Sequence, residues 1–417
     1  MQEVVTRPIE PPAIRPQAAE PGLSPHLRQR IAIEFQDRWE KEWGRKFVTH
    51  GRAPGPDAVR LDGNDYLAVT GHPAIVQAQL DALRCNREFV VQSGVFQLAG
   101  SPTSRFEAAL ADYVGKEGAL LCQSGYTANL GLIQVIADAQ TPVYLDSLAH
   151  MSLWEGVRAA GAPAQPFRHN DPEHLDRMAR RHGPGLVIVD SVYSTTGALC
   201  PLAEIVEVAE RHGCMILVDE SHSLGTHGPE GRGLCAELGL THRVHFITAS
   251  LAKAFAGRAG FFTMPAELRP YLMCHSFPSI FSSCLLPHEI AGLAATLELV
   301  RGSDAARARL RSHTVRLRSA FAALGYPIHQ GSQQILALEA GAEVDTLALR
   351  DALESHGVFG AVFCAPATSR NRAMVRLTLN AALTEAELDH VEAVARALAP
   401  QLKPWDWPIA RRPRVRA

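Results

Sequence analysis

The sequence lacks the patterns that mark several classes of protein. Its eight cysteines are scattered without a Cys-x-x-Cys pair, a distribution that favours a reducing compartment over a disulfide framework. With 41 basic and 43 acidic residues the net charge is −2, which gives no reason to expect nucleic acid or an anionic membrane as partner. The chain has no apolar run of membrane-spanning length and no apolar signal region at its start. We therefore expect a cytoplasmic protein.

The 417 residues, 47% of them hydrophobic, suffice for two or more domains. Strands and helices alternate from about residue 119 to 265, which predicts a mostly parallel α/β sheet covered by helices on both faces. From residue 331 onward, short strands alternate with helices and predict a smaller α+β C-terminal domain. The expected boundaries are 63–294 for the large domain and 295–417 for the small one.

Residues 1–62 precede these domains. Six prolines between residues 7 and 25 predict an extended arm. An apolar residue at every fourth position between 26 and 46 predicts an amphipathic helix that packs against the body of the protein. Farther on, the loop GSPTSR leads into a helix for which Ser104 is the expected N-cap and Glu107 its partner.

Three apolar stretches each end in polar residues that can carry chemistry. In a parallel sheet such ends meet at one edge, where ligands bind. A carboxylate such as Asp219 can pair with a cationic ring nitrogen, and a desolvated amine such as Lys253 can form a Schiff base with an aldehyde. Together they form the constellation of pyridoxal phosphate enzymes. The residues following the three strands are Asp190 and Ser194, Asp219 and His222, and Ser250 and Lys253.

Simpler explanations exist for the same residues. Lys253 alone fits a solvated loop, and Asp219 with His222 fits a structural hydrogen-bonded pair. A metal site using His222 and His227 is a further alternative, although the sequence has neither HExxH nor paired Cys-x-x-Cys motifs. We expect no metal.

Three other positions complete the candidate site. A short strand turns at Ser124 and Gly125 into a helix beginning near Tyr126, and free N–H groups at a helix start can bind phosphate. His150 follows another strand, where it can stack on a planar cofactor or cap the next helix. Arg376 lies within an apolar strand, where its charge requires a carboxylate partner from the protein or from a substrate.

The ordered set of motifs resembles the α-oxoamine synthases, pyridoxal phosphate enzymes of the type I (aspartate aminotransferase-like) fold. The resemblance extends from about residue 61 to 398. It implies condensation of an acyl-CoA with an amino acid, usually with loss of the carboxylate. The motifs, in the order of the family, are NDYLAV, GSPTSR, SGYTAN, LAHMS, DESHS, SLAK and RLTL.

Two motifs depart from the commonest pattern of the family. DESHS stands where an acidic pair followed by His-Gly is usual, and SLAK stands where Thr/Ser-Phe-Gly/Ser-Lys is usual. In these departures the chain is similar to the branch that makes α-hydroxyketone quorum-sensing autoinducers. This resemblance implies S-adenosylmethionine or 2-aminobutyrate as amino substrate and a medium-chain acyl-CoA. The runner-up is a conventional α-oxoamine synthase that uses alanine, glycine or serine, and a catalytically silent binding protein is a third reading.

The family also implies a role for each candidate residue. Lys253 would hold the cofactor covalently and move the Cα proton, Asp219 would pair with the ring nitrogen, and Arg376 would hold the substrate carboxylate. His150 would stack on the ring, while His222 and Ser194 would bind its phenolic oxygen. The family's sites lie at a homodimer interface, which brings in residues of the second subunit. The implied phosphate ligands are Ser124, Gly125, Tyr126 and Ser250, with Ser282 or Ser283 from the partner.

Overall fold

A computed structural model describes residues 22–46, 51–85 and 92–411 of the chain. Most of the predicted proline-rich arm lies outside the described residues. The strands are β1 Val59–Leu61, β2 Gly118–Cys122, β3 Val143–Asp146, β4 Ala164–Phe167, β5 Leu186–Asp190, β6 Met215–Asp219, β7 Phe246–Ser250, β8 Gly260–Met264, β9 Ile335–Gly341, β10 Val358–Phe363 and β11 Ala373–Thr378.

Helices surround the strands along the whole described chain. They are α1 Pro25–Ile31, α2 Asp37–Lys41, α3 Pro73–Cys85, α4 Pro102–Val114, α5 Gly125–Ile136, α6 Met151–Ala159, α7 Pro172–His182, α8 Leu202–Arg211, α9 Leu234–Glu237, α10 Arg269–His275, α11 Phe277–Phe281, α12 Pro287–Arg301, α13 Asp304–Ala323, α14 Glu343–Ser355 and α15 Glu385–Leu402. Within the described ranges, no helix is long and apolar enough to cross a membrane.

The large sheet has seven strands in the order β2-β8-β7-β6-β5-β3-β4. Strands β3 to β7 pair in parallel, and β8 runs antiparallel to both of its neighbours. Alternate residues of β5 enter different cores, because Leu186 and Ile188 belong to one buried cluster and Val187 and Val189 to another. The sheet is therefore covered on both faces, which explains why its strands are continuously apolar. The predicted mostly parallel α/β architecture is confirmed.

The small sheet has four strands in the order β1-β10-β11-β9. Strands β10, β11 and β9 are antiparallel, as in an α+β domain, whereas β1 pairs in parallel with β10 at Val59↔Val358. A strand from the N-terminal segment therefore completes the sheet of the C-terminal domain. The proposed division at residues 62 and 294 stays a prediction.

The amphipathic helix predicted for residues 26–46 forms as α1, a π-helical turn at Ala32–Gln36, and α2. Its second half contacts the small domain, where Arg38 and the Trp43 indole both reach Glu343 of α14, at 2.5 and 2.6 Å. Its first half does not pack in the same way, since three members of the apolar stripe stay exposed. These are Leu27, Ile31 and Phe35.

The expected N-cap at Ser104 is wrong. Ser101 caps α4 by accepting the Ser104 N–H at 3.2 Å, and Pro102 occupies the first turn, where a missing N–H costs nothing. Glu107 is consequently free of the cap. It is buried and instead pairs with Arg269 at 2.7 Å, which fastens α4 to the edge of the large sheet.

Candidate active site

Three neighbouring strands of the large sheet end side by side in polar residues. Asp190 is the last residue of β5, Asp219 of β6 and Ser250 of β7. In the strand register Asp190 lies opposite Asp219, and Asp219 lies opposite Thr248. The three separate stretches of sequence therefore meet at one edge, as their parallel arrangement predicts.

The Asp219 carboxylate is buried and held in one orientation by two donors. Its Oδ1 accepts the backbone N–H of Ser221 at 2.9 Å, and its Oδ2 accepts the side-chain amide of Asn129 at 2.8 Å. The neighbouring Glu220 is used differently, because it accepts the N–H groups of Leu234 and Cys235 at the start of α9. Asp219 is thus the strand-end carboxylate that faces the site.

Lys253 lies in the loop after β7 and is half-buried. Burial lowers the pKa of its amine, the positive charge of Arg376 lowers it further, and the Asp219 carboxylate opposes the decrease. These interactions bring together residues from the ends of two large-sheet strands and from the small sheet. An amine with a lowered pKa is a better nucleophile toward a carbonyl.

His150 is the N-cap of α6, and its backbone N–H donates to Asp190 at 3.0 Å. Its ring Nδ1 lies 2.7 Å from the Ser152 hydroxyl, which in turn accepts the Asn129 amide at 2.8 Å. Since the Ser152 oxygen accepts from Asn129, its own proton is available for Nδ1. Asn129 therefore connects the ring of His150 to the carboxylate of Asp219 through buried hydrogen bonds.

Asp190 and His150 both have shifted pKa values. Burial and the neighbouring Asp219 charge raise the pKa of Asp190 well above its usual range, against the effect of the hydrogen bond from His150. Desolvation lowers the pKa of His150, and the Asp219 carboxylate partly offsets this. The exposed face of His150 opens on a cleft, where a neutral imidazole can stack on a flat ring.

His222 is buried in the turn after β6, with its Nδ1 2.5 Å from the Tyr66 hydroxyl. Desolvation lowers its pKa well below the usual range, and the positive charges of Lys253 and Arg376 add to the decrease, as would a charge on His150. The ring is therefore neutral and lies among the predicted site residues.

His227, the second residue of the alternative metal site, is hydrogen-bonded to Thr226 and Gln333. Across the part of the chain that the structure describes, no group of three or more His, Cys, Asp or Glu is arranged to hold a metal ion.

Arg376 reaches the site from β11 of the small sheet. It donates to the Ser194 carbonyl at 2.8 Å and to the Asn64 side chain at 3.0 Å, and its guanidinium lies 4.6 Å from the centre of the Phe363 ring. Its Nε is buried without a partner, and among the described residues no carboxylate pairs with this side chain. Of the two partners left open by the sequence, a substrate carboxylate fits better.

Helix α5 begins at the predicted phosphate cradle. Ser124 is its N-cap and exchanges hydrogen bonds with Thr127, which leaves the N–H groups of the first turn, at Gly125 and Tyr126, directed out of the helix start. A Cβ on Gly125 would lie 2.7 Å from the Ser250 Cβ. Glycine at this position therefore allows the helix start to lie against the end of β7.

The remaining predicted residues lie around this centre. Ser194 is half-buried and offers its carbonyl to Arg376. The Ser282 hydroxyl donates to the Pro278 carbonyl, and the Ser283 carbonyl accepts the side chain of Gln123 within the same chain. Binding of phosphate by Ser282 or Ser283 of a partner stays a prediction.

A cleft of about 820 Å³ opens beside His150 and Ser194. Its walls are mixed, with large apolar side chains and with arginines that already have carboxylate partners. Such walls suit a substrate that has both apolar and polar parts. Representative lining residues are Trp154, Phe363, Met374, Arg158 and Arg372.

Residues that support the site were not predicted from the sequence. Asn129, Ser152, Tyr66 and Asn64 received no role, although all four belong to the quoted motifs SGYTAN, LAHMS and NDYLAV. A signal existed for Asn129, because a buried amide in an otherwise apolar helix is costly unless it is hydrogen-bonded. For Ser152 the sequence has no such signal, since a serine in the first turn of a helix is ordinary.

These residues fit pyridoxal phosphate. A buried, oriented carboxylate suits a pyridinium nitrogen, a lysine of lowered pKa suits an aldehyde, and a helix start suits a phosphate. The unpartnered Nε of buried Arg376 adds a position for an anionic group of a substrate. Lys253, Asp219 and Arg376 influence one another electrostatically, so the cofactor and substrate groups would lie close together.

Comparison with known proteins agrees with this assignment. The family model of aminotransferase class I and II matches residues 56–394. The chain is 47% identical over 369 residues to a CAI-1 autoinducer synthase of Vibrio campbellii, covering 88% of this chain and 94% of that protein. It is 34% identical over 395 residues to 5-aminolevulinate synthase 2 of Cereibacter sphaeroides, covering 92% and 93%.

Other relatives and solved structures extend the comparison. An 8-amino-7-oxononanoate synthase of Anaeromyxobacter sp. is 32% identical over 389 residues, covering 90% of this chain and 96% of that protein. A solved serine palmitoyltransferase from S. paucimobilis with a bound PLP–myriocin aldimine has a TM-score of 0.84 at 25% identity, covering 90% of this chain and 99% of that one. The chain therefore belongs to the aminotransferase class I and II family and, within it, to the pyridoxal phosphate-dependent α-oxoamine synthases.

Proposed function

We propose that this enzyme condenses a medium-chain acyl-CoA with S-adenosylmethionine or 2-aminobutyrate, giving the aminoketone precursor of an α-hydroxyketone quorum-sensing autoinducer. The observation that carries the proposal is the 47% identity to a CAI-1 autoinducer synthase over 94% of that protein's length. The synthases of other products match at 30–34%. The departures DESHS and SLAK support the same branch.

In the proposed reaction a carbon–carbon bond forms between the Cα of the amino substrate and the thioester carbonyl, CoA leaves, and the carboxylate is lost as carbon dioxide. With S-adenosylmethionine, methylthioadenosine would also leave with the electron pair of its Cγ–S bond while a Cβ proton is lost. Pyridoxal phosphate, when bound, supplies an electron sink for the negative charge that develops at Cα. Lys253 is the group that removes and returns the Cα proton, because burial and Arg376 lower the pKa of its amine.

The other residues would orient the cofactor and the amino substrate. Asp219, fixed by Asn129 and Ser221, would hold the ring nitrogen in its charged form. Arg376 would bind the substrate carboxylate through its unpartnered Nε, while its other donors stay on Ser194 and Asn64. With the carboxylate fixed there, the Cα proton is kept within reach of the Lys253 amine.

Aromatic and histidine side chains would complete the walls of the cofactor and substrate site. His150 offers its exposed ring face to the cofactor, and the cleft beside it admits the substrates. Met374 and Phe363 supply apolar walls for an acyl chain, while the paired arginines at its rim suit the charged portion of a coenzyme.

We also propose a homodimer. Large apolar side chains stay exposed beside the cradle of α5, with Phe96 65% and Phe281 77% accessible. Segments 94–96 and Phe277–Phe281 contact one another, so these side chains form one patch. A patch of this kind is normally covered by a partner, and Ser282 and Ser283 border it. All eight cysteines are free, which supports a location in the reducing cytoplasm.

The second candidate is a conventional α-oxoamine synthase that uses alanine, glycine or serine. It is favoured by the 8-amino-7-oxononanoate and 5-aminolevulinate synthases among the relatives and by the likeness to serine palmitoyltransferase structures. The two candidates share the cofactor residues and differ in the amino substrate.

A visible absorption titration separates the candidates. The purified protein, loaded with pyridoxal phosphate and supplied with octanoyl- or decanoyl-CoA, is titrated in turn with glycine, alanine, serine, 2-aminobutyrate and S-adenosylmethionine. We expect a spectral response and release of CoA thiol only with the last two. A response with CoA release for glycine, alanine or serine alone would assign the protein to the second candidate.

A further inference from the structure

His222 lies in a buried chain of hydrogen bonds that the proposed reaction does not itself require. The Tyr66 side chain is fully buried, and its hydroxyl is 2.5 Å from His222 Nδ1. Gln334, at the start of β9, donates its amide to the His222 carbonyl at 2.9 Å. These hydrogen bonds connect a residue near β1, a turn of the large sheet and the edge of the small sheet.

The orientation of Gln334 is determined by its partner. A carbonyl oxygen only accepts hydrogen bonds, so the Gln334 atom facing the His222 carbonyl is the amide nitrogen. Among the described residues, the Tyr66 hydroxyl has its hydrogen bond with His222 Nδ1. A buried hydroxyl proton without an acceptor is costly, so the phenol donates its proton to this nitrogen.

The protonation of the partners is set by their surroundings. Burial raises the pKa of Tyr66 far above neutrality, so the phenol keeps its proton. The groups facing His222 are this phenol and the side chains of Lys253, Arg376 and His150, and burial together with the positive charges of Lys253 and Arg376 keeps the imidazole neutral. A neutral imidazole carries one proton, and it cannot lie on the nitrogen that accepts from Tyr66.

We propose that Tyr66 is a positioning residue that fixes His222 as the Nε2–H tautomer, while Gln334 holds the His222 backbone, so that this imidazole donates to the phenolic oxygen of the cofactor ring. The proposal rests on the proposed placement of His222 at that oxygen. Tyr66 is a member of a buried hydrophobic cluster, so packing fixes the position from which its hydroxyl reaches His222. Without Tyr66, Nδ1 loses its donor and either tautomer becomes accessible.

The tautomer has a measurable consequence in the loaded protein. A donor at the phenolic oxygen stabilises negative charge there, and this charge is greatest after the Schiff base with Lys253 has lost its proton. Loss of the donor therefore disfavours the deprotonated form and moves the pH midpoint of the visible band upward. For one neutral hydrogen bond the expected shift is about half to one pH unit.

The direct test is long-range ¹H–¹⁵N NMR of histidine-labelled protein, with and without pyridoxal phosphate, in which His222→Gln identifies the His222 signals. We expect a protonated Nε2 and an unprotonated Nδ1 between pH 6 and 9 in both forms. In Tyr66→Phe the two nitrogens should move toward averaged shifts, and the visible-band midpoint should rise. Gln334→Leu should raise the midpoint in the same direction by less.

Tyr326→Phe is the matched control, because this buried hydroxyl donates to the Ala395 carbonyl away from the site. It should leave the His222 signals and the midpoint unchanged. A protonated Nδ1 in the unmodified protein, or an unchanged midpoint in Tyr66→Phe, overturns the proposal. Failure of the cofactor assignment appears separately as absence of a visible band in the unmodified protein, and failure of the substrate assignment as a response to other amino acids. If Tyr66→Phe does not fold, the NMR of the unmodified protein and Gln334→Leu decide.

Discussion

At the edge of the large sheet, the side chains assigned to the cofactor are fastened by buried hydrogen bonds to the protein itself. Asp219 accepts hydrogen bonds from Asn129 and Ser221, and His222 is hydrogen-bonded to Tyr66. The small sheet contributes Arg376, which is tied to a carbonyl and an amide but keeps a buried Nε without a partner. The large sheet thus presents a preorganised cofactor site. The small sheet supplies the unpartnered Nε–H of Arg376 as a donor for a substrate.

The difference predicts two classes of kinetic effect. Changes at the large sheet should alter the spectrum of the loaded protein and kcat. Changes at Arg376 of the small sheet should alter the KM of the amino substrate and leave the spectrum without substrate unchanged. Variants from each region test this separation.

The largest effect is expected for Lys253→Ala. The variant should lose the covalent cofactor link and about 10⁴-fold or more in turnover, because it removes both the nucleophile and the base. The measurements are the visible spectrum, borohydride trapping of the cofactor and CoA release.

Lys116→Met is the matched control, because burial also lowers the pKa of Lys116, whose amine donates to the carbonyls of Thr241 and Val244. It should reduce stability but retain the visible band. Full turnover in Lys253→Ala would end the cofactor assignment itself.

Next in size is Asp219→Asn, compared with Asp190→Asn on the adjacent strand. Asn at 219 cannot hold the ring nitrogen charged, so kcat should fall about 10³-fold. Burial and the charge of Asp219 raise the pKa of Asp190 and favour its protonated form, which resembles an amide, so Asp190→Asn should cost far less. Equal losses of kcat in the two variants would contradict this comparison.

The raised pKa of Asp190 beside Asp219 also predicts how the free energy of unfolding depends on pH. Since the pKa of Asp190 is raised in the folded protein, the native state retains a proton that the unfolded chain releases above about pH 4. The free energy of unfolding of the unmodified protein should therefore decrease as pH rises from about 4 toward the folded pKa. Asp190→Asn should lack this decrease, which urea unfolding at a series of pH values would measure.

Arg376→Lys tests the small sheet. Lysine keeps the charge but loses the planar fork, so the KM of the amino substrate should rise about 10- to 100-fold with a smaller change in kcat. Arg372→Lys is the matched control, because Arg372 lines the cleft beside His150 and already pairs with Glu339 at 2.8 Å, so this variant should leave the KM of the amino substrate unchanged. A fall in kcat with an unchanged KM would place Arg376 with the cofactor residues instead.

The groups that end apolar strands were accessible to sequence reasoning. Asp190, Asp219 and Ser250 each follow a buried run, and parallel strands bring such ends together. The supports behind them were not accessible in the same way, because Asn129, Ser152, Tyr66 and Gln334 come from four distant stretches that meet only in the folded chain. The prediction of Ser104 as the N-cap of α4 was wrong for a local reason, because Ser101 followed by Pro102 is a stronger helix start.

The smallest effect is expected where one such support is removed. Ser152→Ala deletes the hydroxyl between Asn129 and the His150 ring, leaving Nδ1 with no side-chain donor and freeing one amide proton of Asn129. Loss of one neutral hydrogen bond should lower kcat/KM about five- to tenfold, with the loss mainly in kcat because His150 belongs to the large-sheet site. Ser279→Ala is the matched control, since this buried hydroxyl of α11 is hydrogen-bonded to Ser276, the N-cap of the same helix. A loss mainly in KM would show that His150 acts on the substrate carboxylate together with Arg376. Substrate binding would then involve the large sheet as well as the small one.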